Sequence, residues 1–199
     1  MCDTVIETAR LYLRHFRNGD EYDLFEYLSE PEVNCFLQMK TDDLAQAQKA
    51  VEERIGNKNE EFFAVCLKET GKVIGEVFYC RDKQEDDTVS PCWMFNKKFQ
   101  GKGYAYEAAS ALLDYLFGNL SARRVYAYTE DYNFSCQRLC EKLGMRREGL
   151  FKEFVSFINN PDGSPKYENT IQYAILRKEW AGPAGQAGKV RGKGSDGDN

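Results

Sequence analysis

The chain of 199 residues contains one histidine, His15. Catalytic zinc sites and Ser-His-Asp hydrolysis both rely on imidazole, so both are short of parts, and no metal site is expected. His15 continues the alternation of Leu11 and Leu13 and reads as an ordinary strand residue. Positive charge is in the minority, with 27 Lys and Arg against 32 Asp and Glu and a formal net charge of −5. That balance disfavours a nucleic-acid surface and suits a cationic partner such as an amine. No apolar run is long enough to cross a bilayer, and Met1–Arg10 lacks a leader pattern. The seven cysteines include no Cys-x-x-Cys pair and follow no regular framework. Cys66, Cys80 and Cys92 fall in expected strands and read as reduced core thiols rather than bridges. A phosphate loop of the form Gly-x-x-x-x-Gly-Lys-Ser/Thr is also missing. These absences leave one reduced domain, expected in the cytoplasm, without membrane or nucleic-acid partners.

The apolar pattern alternates between periods of two and of 3.6. Leu11, Leu13 and His15 alternate with Tyr12, Arg14 and Phe16 as a first strand. Helices are predicted over Asp20–Leu28 and Asp43–Ile55, the second carrying Leu44, Ala47, Val51 and Ile55 on one stripe. Phe62–Leu67 and Val73–Tyr79 read as strands joined through Thr70-Gly71-Lys72. Val89–Phe95 is the next strand, followed by a helix at Ala105–Phe117, a strand at Arg124–Thr129 and a helix at Ser135–Leu143. Strands near Gly149–Phe157 and Glu168–Leu176 close the domain around the Asn159-Asn160-Pro161-Asp162-Gly163 turn. This alternation predicts an α/β architecture, a mixed sheet covered on both faces. Residues 1–181 form the single domain, and the glycine-rich stretch 182–199 is too poor in apolar side chains to offset chain entropy, so it is expected to be disordered.

The densest chemical signal is Phe99-Gln100-Gly101-Lys102-Gly103-Tyr104-Ala105-Tyr106-Glu107. Two glycines lie between a strand and the amphipathic helix of Ala105, Ala108, Ala109, Leu112, Leu113, Leu116 and Phe117. Amides at a helix N-terminus lack intrahelical partners and carry the positive end of the dipole, so phosphate oxygens are favoured there. A dinucleotide fingerprint would need a third glycine where Tyr106 stands, and would lie early in the chain. A pyrophosphate-bearing cofactor of another kind is therefore expected.

Gln100-x-x-Gly103-x-Ala105 resembles the Gln/Arg-x-x-Gly-x-Gly/Ala signature of the GNAT superfamily of N-acetyltransferases. Asn133-Phe134-Ser135-Cys136-Gln137-Arg138-Leu139-Cys140-Glu141-Lys142-Leu143-Gly144-Met145 resembles a segment of the branch that acetylates ribosomal-protein N-termini. Glu7–Arg14 and Ile74-Gly75-Glu76 are similar to strands of the same branch, and the likeness runs in register from about Thr8 to Trp180. It implies a mostly antiparallel central sheet, splayed at the cofactor site, with helices on both faces. The implied donor is acetyl-CoA, and the implied acceptor is a primary amine on a small molecule or a protein N-terminus. The implied assembly is a monomer or homodimer.

The resemblance also assigns roles. Backbone groups of Trp93, Met94 and Phe95 would hold the pantetheine arm and polarise the thioester, while both aromatics also suit a core. Gln100, Gly101, Lys102, Gly103, Tyr104, Ala105 and Tyr106 would cradle the diphosphate, mostly through main-chain N–H. Asn133 would reach the cofactor arm, and its residue type equally suits an N-cap. Cys136 replaces a serine whose hydroxyl contacts the cofactor sulfur, and Cys140 occupies the place of an acid tyrosine used by other branches. Cys136, Leu139, Cys140 and Leu143 also make an apolar stripe, so packing is the default and a covalent acyl-cysteine route the minor reading. Positions where relatives carry a glutamate base hold Ser90 and Tyr128 here. Glu130 shares a strand face with Tyr128 and could deprotonate an ammonium through water; otherwise it is a loop-edge surface carboxylate. Glu76 carries the same ambiguity. Asn133, Cys136 and Glu130 are thus the catalytic candidates. The alternative is a coenzyme-sensing module without turnover, favoured by the missing glutamate, by Cys136, and by Pro91 inside a strand.

Overall fold

The computed structural model describes residues 4–182; the tail expected at 182–199 therefore lies outside the described residues apart from Gly182. Eight strands form one sheet: β1 (Thr4–Glu7), β2 (Leu11–Arg14), β3 (Glu60–Leu67), β4 (Val73–Arg81), β5 (Thr88–Phe95), β6 (Arg124–Glu130), β7 (Arg146–Asn159) and β8 (Pro165–Leu176). Their spatial order is β1-β2-β3-β4-β5-β6-β8-β7, and β5–β6 is the one parallel pair among the described strands. Four helices, α1 (Glu21–Leu28), α2 (Leu44–Gly56), α3 (Tyr104–Gly118) and α4 (Phe134–Lys142), cover the two faces.

Each face builds its own core. On one side, Leu112, Leu113 and Leu116 of α3, Cys140 of α4 and the following Leu143 pack fully buried against Leu11, Leu13, Phe63, Ile74 and Val125. Each such leucine removes enough apolar surface to contribute roughly 1.5–3 kcal/mol. On the other, Leu24 and Leu28 of α1 and Ala47 and Val51 of α2 meet Phe62, Ala64, Phe78 and Met94. Covering on both sides explains why β3 and β4 read as continuous apolar runs.

Local chemistry accounts for the helix starts. Asp43 accepts the Gln46 amide at 2.8 Å and opens α2. Asp20 precedes α1 but spends its carboxylate on the buried Arg14, which grips it with both Nη atoms at 2.7 Å. Two elements escape the sequence pattern. Strand β1 is only four residues long, and Asn34–Met39 forms a 3₁₀ segment between α1 and α2. The strand expected to come first is β2, and it stops at Arg14, so His15 lies just beyond it, half exposed. Gly118 is the last residue of α3 rather than a stop outside it. Strand β7 extends past its expected limits and carries bulges, which its exposed, non-alternating sequence disguises.

Candidate functional site

Strands β5 and β6 pair only at Thr88–Arg124 and Val89–Val125. Beyond that point β5 is bonded to β4 alone and β6 to β8 alone, so a wedge opens between them toward Phe95 and Glu130. Pro91 stands just past the last cross-wedge pair, where β5 has a strand partner on one side only. A missing amide is tolerated at such an edge, so this proline does not break the sheet. Trp93 packs toward the α3–α4 core and Met94 toward the α1–α2 core. With those side chains committed to packing, main-chain groups form the β5 wall of the wedge. Gly75 sets how close β4 comes to that wall, since a Cβ there would lie 2.4 Å from the Met94 carbonyl oxygen.

At the far end of β5 the chain passes through Lys97–Phe99, a single 3₁₀ turn capped by Asn96, into the glycine turn. Gly101 and Gly103 take φ of +75° and +81°, values that side chains with a Cβ rarely adopt. Gly103 is the N-cap of α3 and supplies no side-chain cap, unlike Asp43 before α2 and Asn133 before α4. The first intrahelical bond runs from the Glu107 amide to the Gly103 carbonyl, which places the amides of residues 104–106 ahead of the helical ladder.

A residue far away in sequence braces this turn. The Arg10 guanidinium donates to the Lys102 carbonyl at 3.0 Å and to Glu107 at 2.7 Å, and lies 4.5 Å from the centre of the Tyr104 ring. Thr8 Oγ1 and the Arg10 amide also donate to Glu107, at 2.6 and 2.8 Å. Burial pushes the Glu107 carboxyl up, but these donors outweigh it and hold the group below the usual carboxylate range. Lys102 Nζ sits over the Phe99 ring and Lys142 Nζ over the Tyr106 ring, at 5.3 and 4.3 Å. Three cations thus surround the turn. A cleft of about 520 Å³ leads away from it along α3, lined by Arg10, Gly103, Tyr106, Ser110 and Lys142. The Ser110 hydroxyl is buried there without a protein hydrogen-bond partner. Gln100 points elsewhere and donates to Glu32 at 2.6 Å, tying the turn to the segment after α1.

The β6 wall carries the remaining candidates. Asn133 caps α4 by accepting the Cys136 amide at 3.2 Å, and its Nδ2 donates to Glu130 at 3.4 Å. Glu130 is not the surface carboxylate its loop-edge position suggested: it is 4% exposed. The 3₁₀ segment Asn34–Met39 folds over it, the Cys35 amide donating to Oε1 at 3.3 Å. Neighbouring Glu168 is buried as well and accepts from Asn34 Nδ2 at 2.5 Å and the Tyr132 hydroxyl at 3.0 Å. Glu76, the other carboxylate considered, is fully buried in a two-pronged pair with Arg54 at 2.6 and 2.8 Å, with the Tyr27 hydroxyl at 3.2 Å. Such a paired, sealed group holds the fold together.

Cys136 follows the Asn133 cap, with Trp93 of β5, Thr129 of β6 and Cys140 of the next turn facing its sulfur. Hydrogen bonding from Cys140 is the largest influence, and with Thr129 and Trp93 it outweighs burial to lower the Cys136 thiol. Cys140, donating to that neighbour and buried, is pushed far up. The apolar stripe holds as expected: Cys140 and Leu143 are fully buried, Cys136 and Leu139 partly so. Arg10, Ser110, Lys142 and the covering segment at Asn34–Cys35 were missed by pattern reading. Their partners lie up to 134 residues away, and no local signal marks them.

Residues 10–146 match the acetyltransferase (GNAT) domain family. The uncharacterized N-acetyltransferase YnaD of Bacillus subtilis is 34% identical over 175 residues, covering 88% of this chain and 98% of the relative. The crystal structure of a GNAT-family acetyltransferase from Bacillus anthracis aligns with a TM-score of 0.76 at 31% identity, over 87% of this chain and 99% of that one. A spermidine N-acetyltransferase from Vibrio cholerae, 20% identical with a TM-score of 0.70 over 89% and 99% of the two chains, shares the fold.

Proposed function

We propose, for a chain that belongs to the GNAT acetyltransferase family, that it moves the acetyl group of acetyl-CoA directly to a primary amine at the mouth of the β5–β6 wedge. The observation that carries this reading is that β5–β6 pairing stops at Val89–Val125 while an uncapped, glycine-opened helix begins at the other end of β5. A phosphate-bearing carrier and its amide-containing arm need those two features in that order.

The residues present fit such a donor. Nothing lies within 4 Å of where a Gly101 Cβ would stand, so a ligand can approach the backbone closely there. Main-chain N–H of Gly101, Lys102, Gly103, Tyr104, Ala105 and Tyr106 would meet the diphosphate, with Arg10, Lys102 and Lys142 adding positive charge. The Ser110 hydroxyl offers a polar contact along the cleft. Backbone groups of Trp93, Met94 and Phe95, unpaired across the wedge, would bind the arm and polarise the carbonyl oxygen. When bound, the donor supplies an activated thioester.

Glu130 is the best-placed base. Its partners are neutral donors, the Cys35 amide and Asn133 Nδ2, so it keeps capacity to take a proton through water. An α-amine with a pKa near 7.7–8.0 loses its proton at small cost, which favours a protein N-terminus or a similarly weak base as acceptor. Asn133 positions Glu130 and the first turn of α4. The six free thiols among the described residues suit a reducing compartment, and we place the protein in the cytoplasm.

The test has two parts. Calorimetric titration with acetyl-CoA should give binding to the wild type and none to Gly103→Trp. Mass spectrometry after incubation with peptide N-termini, polyamines and amino acids should then find an acetylated amine. Equal affinity in the variant, or no thiol release with any amine, overturns the reading.

A further inference from the structure

Alternation along β6 sends Val125 and Ala127 into the α3–α4 core and leaves Tyr126, Tyr128 and Glu130 on the opposite face. Aromatic rings gather on that face. Tyr128 is the hub, its ring centre 5.5 Å from Tyr126, 6.2 Å from Phe151 and 5.8 Å from Phe154. Tyr126 and Phe151 meet it edge-on, at 71° and 77°, so the cluster is not a flat stack and keeps ring faces open. Phe151 and Phe154 lie 5.0 Å apart. Positions three apart on a regular strand point to opposite faces, and a bulge in β7 overrides that rule here. Between the pairs Phe151↔Thr170 and Val155↔Glu168, β7 advances four residues while β8 advances two. Within the bulge Glu153 takes φ of +49°, its amide donating to Asn169 Oδ1 at 3.0 Å. Gln172 Nε2 donates to the Tyr128 hydroxyl at 3.3 Å and holds the hub in place. Despite these contacts Tyr128, Phe151 and Phe154 stay 45%, 37% and 52% exposed, a contiguous apolar surface of the kind that marks a binding site.

Resting on the reading that an amine is acetylated at the mouth of the wedge beside Glu130, we propose that Tyr128, Phe151 and Phe154 seat the acceptor's side chain. They select an amine that stands next to a large apolar or aromatic group, as in a peptide beginning with Phe. Position supports this. Tyr128 is two residues from Glu130 on one strand face, about 7 Å, and Phe151 lies two strands across from Glu130 through Thr170, about 10 Å. The amine and the side chain of a single residue bridge that gap. Chemistry supports it too. A guest ring gains edge-on and offset contacts with the three rings in addition to leaving water, whereas a methyl side chain would leave most of the seat wet. An acidic side chain would meet Glu130, Glu168 and Asp82, the last already accepting the Tyr126 hydroxyl at 3.1 Å, with only neutral donors on the two glutamates.

The probes are four peptides identical except for a first residue of Phe, Ala, Lys or Asp, assayed with the full-length chain at saturating acetyl-CoA. The Phe peptide should have a kcat/KM on the order of 10- to 10²-fold above the Ala peptide, mostly through KM, and the Asp peptide should be poorest. Phe154→Ala should raise KM for the Phe peptide by about 10-fold and leave its kcat, the Ala peptide and acetyl-CoA affinity unchanged. Phe154→Leu should recover most of that loss, since an apolar side chain of similar reach returns. Preference for the Lys peptide would make the rings a seat for a cation and overturn the proposal. Equal kcat/KM for Phe and Ala, or an equal loss on every peptide in Phe154→Ala, would overturn it as well. A chain that acetylates amines without regard to the first side chain, or takes polyamines and no peptide, sinks the seat and spares the acetyl transfer; a chain that acetylates no amine removes both.

Discussion

Replacing Gly75 by alanine puts a methyl group where β4 already touches β5. The added Cβ would lie 2.4 Å from the Met94 carbonyl oxygen and 2.8 Å from the Phe95 Cα. Ordinary contact needs about 3.5 Å, so the shortfall is roughly 1 Å. The obstacle is backbone, and no rotamer change relieves it: β5 must move as a strand. Overpacking of this kind costs about 1–3 kcal/mol. For a chain of this length each kcal/mol lowers Tm by about 2–4 °C, so a fall of roughly 2–12 °C is expected in thermal unfolding. The movement falls on Met94 and Phe95, part of the wedge wall, so acetyl-CoA affinity should drop as well. Gly56→Ala is the matched control. Gly56 ends α2, nothing lies within 4 Å of its added Cβ, and the substitution should be neutral or slightly stabilising. If Gly75→Ala melts with Gly56→Ala and binds the donor as the wild type does, close strand approach does not shape the wedge.

Arg54→Met leaves the fully buried Glu76 carboxylate without its cation and should cost about 3–5 kcal/mol in urea unfolding; a loss below about 1 kcal/mol would mean water reaches the site. The carboxyl of Glu107 is depressed in the folded chain, so its stabilising effect is complete above the unfolded value of about 4.3 and is lost as pH falls through the lower folded value. Glu107→Gln should therefore flatten the acid side of the Tm-against-pH curve, and parallel curves for the two proteins would refute the linkage. Glu130→Gln keeps an oxygen for the Cys35 amide but removes the base. Its kcat should fall about 10²–10⁴-fold with acetyl-CoA affinity retained, and an unchanged kcat would eliminate Glu130 from proton transfer.

The wedge and the turn differ in how readable they are. Gly101, Gly103 and the stripe from Ala105 to Phe117 announce themselves because caps and helical periodicity act within a few residues. The wedge leaves no periodic trace, since β5 and β6 look like ordinary strands and only their pairing fails. It was expected on resemblance alone. Glu130 was misjudged because its position at a strand end says nothing about the 3₁₀ segment some 95 residues earlier that covers it. Glu76 remained ambiguous until Arg54 arrived from α2. Short β1 and the bulged, exposed β7 had too little alternation to be bounded.

By itself the amino-acid sequence determined the order of helices and strands from β2 onward, the apolar stripes of the helices and the anion-favouring turn, because each depends on neighbours within a turn or two of chain. Tertiary structure decided which carboxylate is paired and which keeps only neutral partners, and which cations ring the glycine turn. Those outcomes come from contacts between segments 20 to 100 residues apart, where burial and charge are set by what folds over a group rather than by what stands beside it in the chain.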